Sequence, residues 1–248
     1  MRNSLPLTRR TLLTTSILAI ATPAIATGKS TYRDPKASID DRVNDLLAQM
    51  TLEEKAGQLR SMWATKPQFL GDDKNFSDSK AAKSLINGIG QIARITDIRG
   101  YPEWDKTPYR SIDNAVETAN AVQRFLVEKT RLGIPALFHD ELAHGFLAND
   151  ATIFPIPTAL GSTWDPDLVE QVFTVAAREA RLRGTTVALT PVIDLLHDPR
   201  FGRSEEFFGE DPRHVSDMGT AAVRGMQGRT RPLGKDRVYV TLKHFVHG

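Results

Sequence analysis

Short apolar runs that alternate with helical patterns constrain this 248-residue chain more than any other feature of its sequence. Four such runs cover residues 89–95, 134–138, 187–193 and 238–242. Helical patterns cover residues 40–50, 51–59, 112–131, 165–183 and 211–226. Strands that alternate with helices run parallel, because each helix returns the chain to the same end of the sheet. The sequence therefore predicts an α/β fold with a parallel sheet.

Polar clusters directly follow three of these predicted strands. Asp140 and Glu141 follow the second run, residues 194–206 follow the third, and Lys243 and His244 follow the fourth. In a parallel barrel the carboxyl ends of the strands lie at one face, where enzymes of this architecture carry their working residues. The positions of these clusters therefore favour an enzyme.

Residues 196–212 combine arginines, carboxylates, three phenylalanines and two glycines. This mixture is typical of a loop folded over a site, with arginines held by carboxylates. Arg203 can present its planar guanidinium to vicinal hydroxyls, can pair with Glu206 or Glu210, or can do both. Arg200 is interpreted as structural.

The cluster after the second strand allows three interpretations. His139, Asp140, Glu141 and His144 are of metal-ligand types, but histidines at i and i+5 do not share a helix face. An ionised carboxylate only accepts hydrogen bonds, so an acid here can instead bind two sugar hydroxyls. The third interpretation is a helix-start acid. We predict neither a metal nor a cofactor.

Lys243 and His244 end a strand, along which neighbouring side chains alternate between opposite faces. Both can reach one site only if the strand end or a bulge turns them to the same side. The alternative is a solvated lysine and a histidine that caps the sheet.

The first 26 residues have the features of an export signal. Arg9 and Arg10 precede an apolar run over residues 12–25, and residues 24–26, Ala-Ile-Ala, offer a cleavage site. This order predicts export by the twin-arginine (Tat) machinery, a periplasmic or secreted location and no stable membrane anchor after cleavage. A short membrane anchor is the alternative, although the run is short and rich in Thr and Ala.

Charge and cysteine content exclude some classes of partner and site. Of the 32 basic residues, three arginines lie in the first 26 residues, which contain no acid. Without that segment, 29 basic residues stand against 30 acidic ones, a formal charge of −1. A nucleic-acid partner therefore has no electrostatic support. The absence of cysteine excludes disulfides and thiolate metal sites.

A series of motifs between residues 40 and 248 resembles glycoside hydrolase family 3 in order and spacing. The motifs are Glu53–Leu59, Gly133–Pro135, His144–Gly145, Phe154–Pro155, Trp164–Pro166, Asp198–Arg203, Gly209–Pro212 and Lys243–Phe245. The family includes β-glucosidases, β-xylosidases and β-N-acetylglucosaminidases. The resemblance implies a partial (β/α)8 TIM-type barrel over residues 27–248, roughly its first four strands with their helices, after the signal segment 1–26.

The resemblance also implies a reaction and a set of binding residues. It implies an exo-acting β-glycosidase that hydrolyses β-linked gluco- or xylo-oligosaccharides with retention, using two carboxyl groups roughly 5–5.5 Å apart. The family's sugar-binding acid, arginine and Lys-His pair correspond to Glu141, Arg203, Lys243 and His244. The first position is often Asp in the family, and Glu resembles the xylosidase-like members.

The end of the sequence departs from the family pattern. Residues 246–248, Val-His-Gly, differ from the Pro-Gly-His-Gly usual in the β-N-acetylglucosaminidase branch, which stays an alternative. The nucleophile, an Asp, and the acid/base are expected beyond Gly248. The chain is therefore interpreted as an inactive fragment of a longer exported glycosidase. A non-catalytic, sugar-binding module is the alternative from a different class.

Overall fold

The computed structural model describes residues 31–103, 105–106 and 108–244, so the predicted export signal lies outside the described residues. The chain divides into two compact units, Met1–Gln49 and Met50–Gly248. The described part of the first unit contains a 3-10 turn, Thr31–Arg33, and helix α1, Ile39–Gln49. The Ser38 hydroxyl accepts a hydrogen bond from the Asp41 N–H at 3.1 Å, which satisfies a backbone donor at the start of α1.

The second unit is built on a parallel sheet whose five described strands follow one another in chain order. They are β1 Ser61–Met62, β2 Gln91–Ala93, β3 Leu137–Asp140, β4 Val187–Ala188 and β5 Tyr239–Val240. Each neighbouring pair is parallel. The predicted α/β fold with a parallel sheet, open as in part of a (β/α)8-type barrel, is confirmed.

The strands differ from the prediction in number and length. The sequence does not predict β1, because its two residues follow a helix and contain no apolar run, so the predicted count of four strands is one short. The third predicted strand, residues 187–193, forms a ladder only over Val187–Ala188 and then a single bridge between Val192 and Lys243. Pro191 has no N–H to contribute to a ladder, which explains the interruption.

Helices connect the strands, and all but two short ones, Asp78–Ser84 and Pro157–Gly161, begin where the sequence predicts. They are α2 Leu52–Gln58, α3 Asp78–Ser84, α4 Ile112–Lys129, α5 Pro157–Gly161, α6 Pro166–Leu182 and α7 Pro212–Gln227. Thr51 and Glu54 form the predicted capping box, and Asp165 and Asp211 each accept a hydrogen bond from a first-turn N–H. None of the described helices has the length and apolar character needed to cross a membrane.

Two buried apolar clusters hold the helices against the sheet. One includes Ile92 of β2, Phe138 of β3 and Val122 of α4. The other includes Phe173 of α6 and Met218 of α7. Burying a side chain of this size contributes about 1.5–3 kcal/mol. These clusters keep the strands in place, so that the loops at their carboxyl ends meet at one edge.

The packing of α6 against α7 requires a glycine at position 225. A Cβ atom there would lie 2.5 Å from the Glu170 carbonyl oxygen and 2.9 Å from Phe173 Cβ. We expect Gly225→Ala to lower the free energy of unfolding by about 1–3 kcal/mol, because the clash outweighs the better helix propensity of alanine. Gly202→Ala is the matched control, since its Cβ would meet no atom within 4 Å. Urea unfolding measures both, and equal midpoints would contradict the prediction.

Candidate functional site

The carboxyl ends of the strands lie at the same edge of the sheet, because all strands run parallel. Arg94 follows β2 directly, and Glu141 follows β3. Asp194 lies beyond β4, and Lys243 and His244 lie beyond β5. Side chains that are far apart in the sequence therefore meet at this edge.

Glu141 is held by cations from two different strand ends. Lys243 Nζ lies 3.0 Å from Glu141 Oε2, although 102 positions separate the two residues. Arg94 Nη2 lies 3.3 Å from Glu141 Oε1. The three side chains are only 13–23% exposed, so water screens these charges incompletely. Glu141 is therefore an oriented hydrogen-bond acceptor at the edge of the sheet.

His244 is fixed by Asp194, which is buried. Both carboxylate oxygens of Asp194 lie 3.0 Å from the backbone nitrogen of His244, and Oδ2 lies 2.7 Å from its Nδ1. An ionised carboxylate can only accept hydrogen bonds, so Nδ1 carries the proton. The peptide bond between Lys243 and His244 is cis. The two side chains bind carboxylates beyond β3 and β4, so both belong to the same edge.

Arg203 forms a bidentate ion pair with Glu206, one of the two partners considered from the sequence. Nε lies 2.5 Å from Oε1, and Nη2 lies 2.7 Å from Oε2. This hydrogen bonding raises the pKa of Arg203, and the negative charges of Glu141 and Asp194 add to the effect. The same bonds are the main cause that lowers the pKa of Glu206, with help from the Lys-His pair. Arg203 therefore lies in the electrostatic field of the site.

Of the four residues that the family resemblance selects, Glu141 and Lys243 are in direct contact, His244 follows Lys243 in the chain, and Arg203 is bound to Glu206 and is within reach of the charges of Glu141 and Asp194. Arg200, interpreted as structural, pairs with Asp198, and its side chain is 89% exposed. Among the described residues, no three histidine, aspartate or glutamate side chains converge in a way that could hold a metal ion.

Asp140 and His139 precede Glu141, but their side chains form hydrogen bonds with other residues of the protein interior. Asp140 is fully buried and accepts a hydrogen bond from the Thr185 hydroxyl at 2.7 Å. Its Oδ1 has no hydrogen-bond partner among the described residues. Burial raises the pKa of Asp140 to about 7, because the ionised form loses its hydration. The Nδ1 atom of His139 is 2.6 Å from Gln91 Oε1, and burial lowers the pKa of this imidazole.

The pKa of Asp140 predicts a dependence of stability on pH. Its pKa is about 7 in the folded protein against an ordinary value near 4, so folding favours the protonated acid. The contribution of this group to stability should therefore decrease as the pH rises from about 4 to about 7, and then level off. Asp140→Asn cannot ionise and should be more stable than the unmodified chain at pH 8 by on the order of 2–4 kcal/mol. Urea unfolding at pH 4.5 and pH 8 checks this, and parallel pH profiles would refute it.

Comparison with known proteins identifies the family. Residues 51–248 match the N-terminal domain of glycosyl hydrolase family 3. The chain belongs to this family. A putative β-xylosidase of Formosa agariphila is 33% identical to this family 3 chain over 238 residues, which cover 94% of the chain and 30% of that protein. The resemblance stated from the motifs is confirmed.

Two further similar proteins are named β-glucosidases. A periplasmic β-glucosidase of Salmonella typhimurium is 32% identical over 206 residues, or 83% of this family 3 chain and 23% of that protein. The structure of a β-glucosidase from Erythrobacter marinus has 34% identity and a TM-score of 0.72, covering 88% of this chain and 27% of that one. The family 3 chain spans less than a third of the length of these relatives.

Two members of the site are not selected by the sequence reasoning. Asp194 is recognised only as part of a polar cluster, although an acid after an apolar run is a usable signal. Arg94 is assigned to the interior of the predicted strand 89–95, whereas β2 ends at Ala93. A single charged residue in an apolar run is the signal that could have revealed it.

Proposed function

We propose that this chain forms the sugar-binding part of an exo-acting, retaining β-glycosidase. The enzyme hydrolyses O-glycosyl bonds of β-linked gluco- or xylo-oligosaccharides, and Glu141, Arg203, Lys243 and His244 bind its terminal sugar. The observation that carries the proposal is the 3.0 Å contact between Lys243 and Glu141, which joins two strand ends into one polar site. The names of the relatives, β-xylosidase and β-glucosidase, support the same class of substrate.

The charge balance of the site suits a neutral, hydroxyl-rich ligand. The cations Arg94, Lys243 and Arg203 stand beside the carboxylates of Glu141 and Glu206. Asp194 adds a third carboxylate, so the charges of these six side chains balance. Sugar hydroxyls both donate and accept hydrogen bonds, which matches alternating carboxylates and cationic donors. The arrangement therefore favours a sugar over an anionic ligand.

The carboxylates of the site are suited to binding rather than to attack on the sugar. Glu141 is bound by Lys243 and Arg94, Asp194 by His244, and Glu206 by an arginine. A retaining mechanism needs one carboxylate free to attack the anomeric carbon and one acid to protonate the leaving group. We therefore expect the expressed chain to bind a β-glycoside without hydrolysing it. A non-catalytic, sugar-binding module is the second candidate, because it too would bind a β-glycoside without hydrolysing it.

The binding role is tested by titrating the expressed chain with methyl β-D-glucoside and methyl β-D-xyloside, followed by NMR. Arg203→Met and Lys243→Met should each weaken binding by about tenfold or more, since each removes a charged hydrogen-bond donor. Arg200→Met is the matched control from the same loop and should leave binding unchanged. Tight binding by both site variants would refute the assignment, and steady turnover of an aryl β-glycoside would refute the binding-only role.

We further propose that residues 1–26 direct the protein out of the cytoplasm through the Tat machinery and are then removed. The twin arginines and the periplasmic relative support this location. Replacing Arg9 and Arg10 together by lysine should abolish export in a Tat-competent bacterium, because lysine keeps the charge but not the guanidinium pair. Arg2→Lys is the control. Cell fractionation measures the outcome, and normal export of the double variant would exclude the Tat route.

A further inference from the structure

Arg94 has a backbone conformation that residues other than glycine rarely adopt, with φ of 47°. Its N–H donates to the His139 carbonyl at 2.8 Å, and its carbonyl accepts from Lys66 Nζ at 2.6 Å and from the Asp97 N–H at 3.0 Å. Unusual backbone conformations that several bonds maintain are concentrated at functional sites. The conformation of Arg94 therefore indicates that this residue does more than end strand β2.

A buried ion pair supports Arg94 and its neighbour Trp63 together. Lys66 is fully buried and pairs with Asp97, whose carboxylate also accepts from the Trp63 indole N–H at 3.3 Å. A buried charge is costly unless it is paired and hydrogen-bonded, and Lys66 satisfies this through Asp97 and the Arg94 carbonyl. The pair therefore fixes the indole ring and the Arg94 backbone relative to each other.

The side chain of Arg94 contacts both Trp63 and Glu141. Its guanidinium carbon lies 4.4 Å from the centre of the indole ring, a distance at which a cation and an aromatic face attract each other. Its Nη2 is 3.3 Å from Glu141 Oε1, while Lys243 contacts the other oxygen. Because a cation binds each of its oxygens, the carboxylate cannot rotate, and its remaining lone pairs point in a fixed direction.

We propose that Arg94 is a positioning residue of the sugar site, acting through Glu141. The inference rests on the proposed function, because Glu141 is there a ligand of the sugar. Arg94 sets the plane of the Glu141 carboxylate, the Trp63 ring attracts the Arg94 guanidinium, and the buried pair of Lys66 and Asp97 holds the two residues in place. Sugar hydroxyls then meet an acceptor that needs no reorientation, which favours binding.

The test uses the full chain and the same two methyl glycosides. Arg94→Met should weaken binding by about tenfold, and Arg94→Lys should recover only part of the loss, because lysine lacks the planar fork. In the Glu141→Ala background, Arg94→Met should change binding by less than about twofold, because alanine leaves no side-chain oxygen for Arg94 to orient. Arg178→Met is the control, since it removes an exposed ion pair with Asp236.

Equal losses in both backgrounds, or no loss in either, would overturn the positioning role. If Arg94→Met does not fold, Arg94→Lys takes its place in the same comparison. If the unmodified chain binds neither glycoside, the proposed function fails. The positioning role of Arg94 is then tested by comparing ligand-free crystal structures of the unmodified chain and the Arg94→Met variant. A Glu141 side chain that moves or becomes disordered in the variant supports the role, whereas an unchanged side chain overturns it.

Discussion

The parallel direction of the five described strands decides where the side chains of the candidate site can lie. It places every strand's carboxyl end at one edge, so residues more than 100 positions apart in the chain become neighbours. The contact between Lys243 and Glu141 exists only because β3, β4 and β5 pair in one register, with His139 opposite Val187 and Val187 opposite Tyr239. A shift of one residue would turn these side chains to the other face.

Around this edge, ionic pairing determines which side chains can be partly or fully buried. Glu141, Asp194 and Glu206 each contact a basic side chain, and buried Lys66 contacts Asp97. Such pairs add little to stability when exposed, but a buried charge without a partner is strongly destabilising. The pairs therefore act mainly by fixing side-chain orientation. Asp140 is the exception, because burial favours its neutral form instead of a cationic partner.

Much of this arrangement could be predicted from the sequence, and the failures have identifiable causes. Capping residues act within one turn of helix, so Asp165 and Asp211 were enough to predict the starts of α6 and α7. Strand β1 could not be predicted, because a strand of two residues is too short to show a periodic pattern. The distinction between Asp140 and Glu141, adjacent in sequence, depends on which of them is buried, and burial is set by packing across the sheet.

The sequence alone specifies the alternation of strands and helices, the helix caps, the membership of family 3 and the polar character of the strand ends. These are local properties of the chain, carried by periodicity and by motifs of a few residues. The folded arrangement is needed to show that Arg94 and Lys243 both contact Glu141, that Asp194 binds His244, and that Lys66 donates to the Arg94 carbonyl. Those contacts join residues 28 to 102 positions apart, because strand pairing and core packing, not local propensity, set which side chains meet.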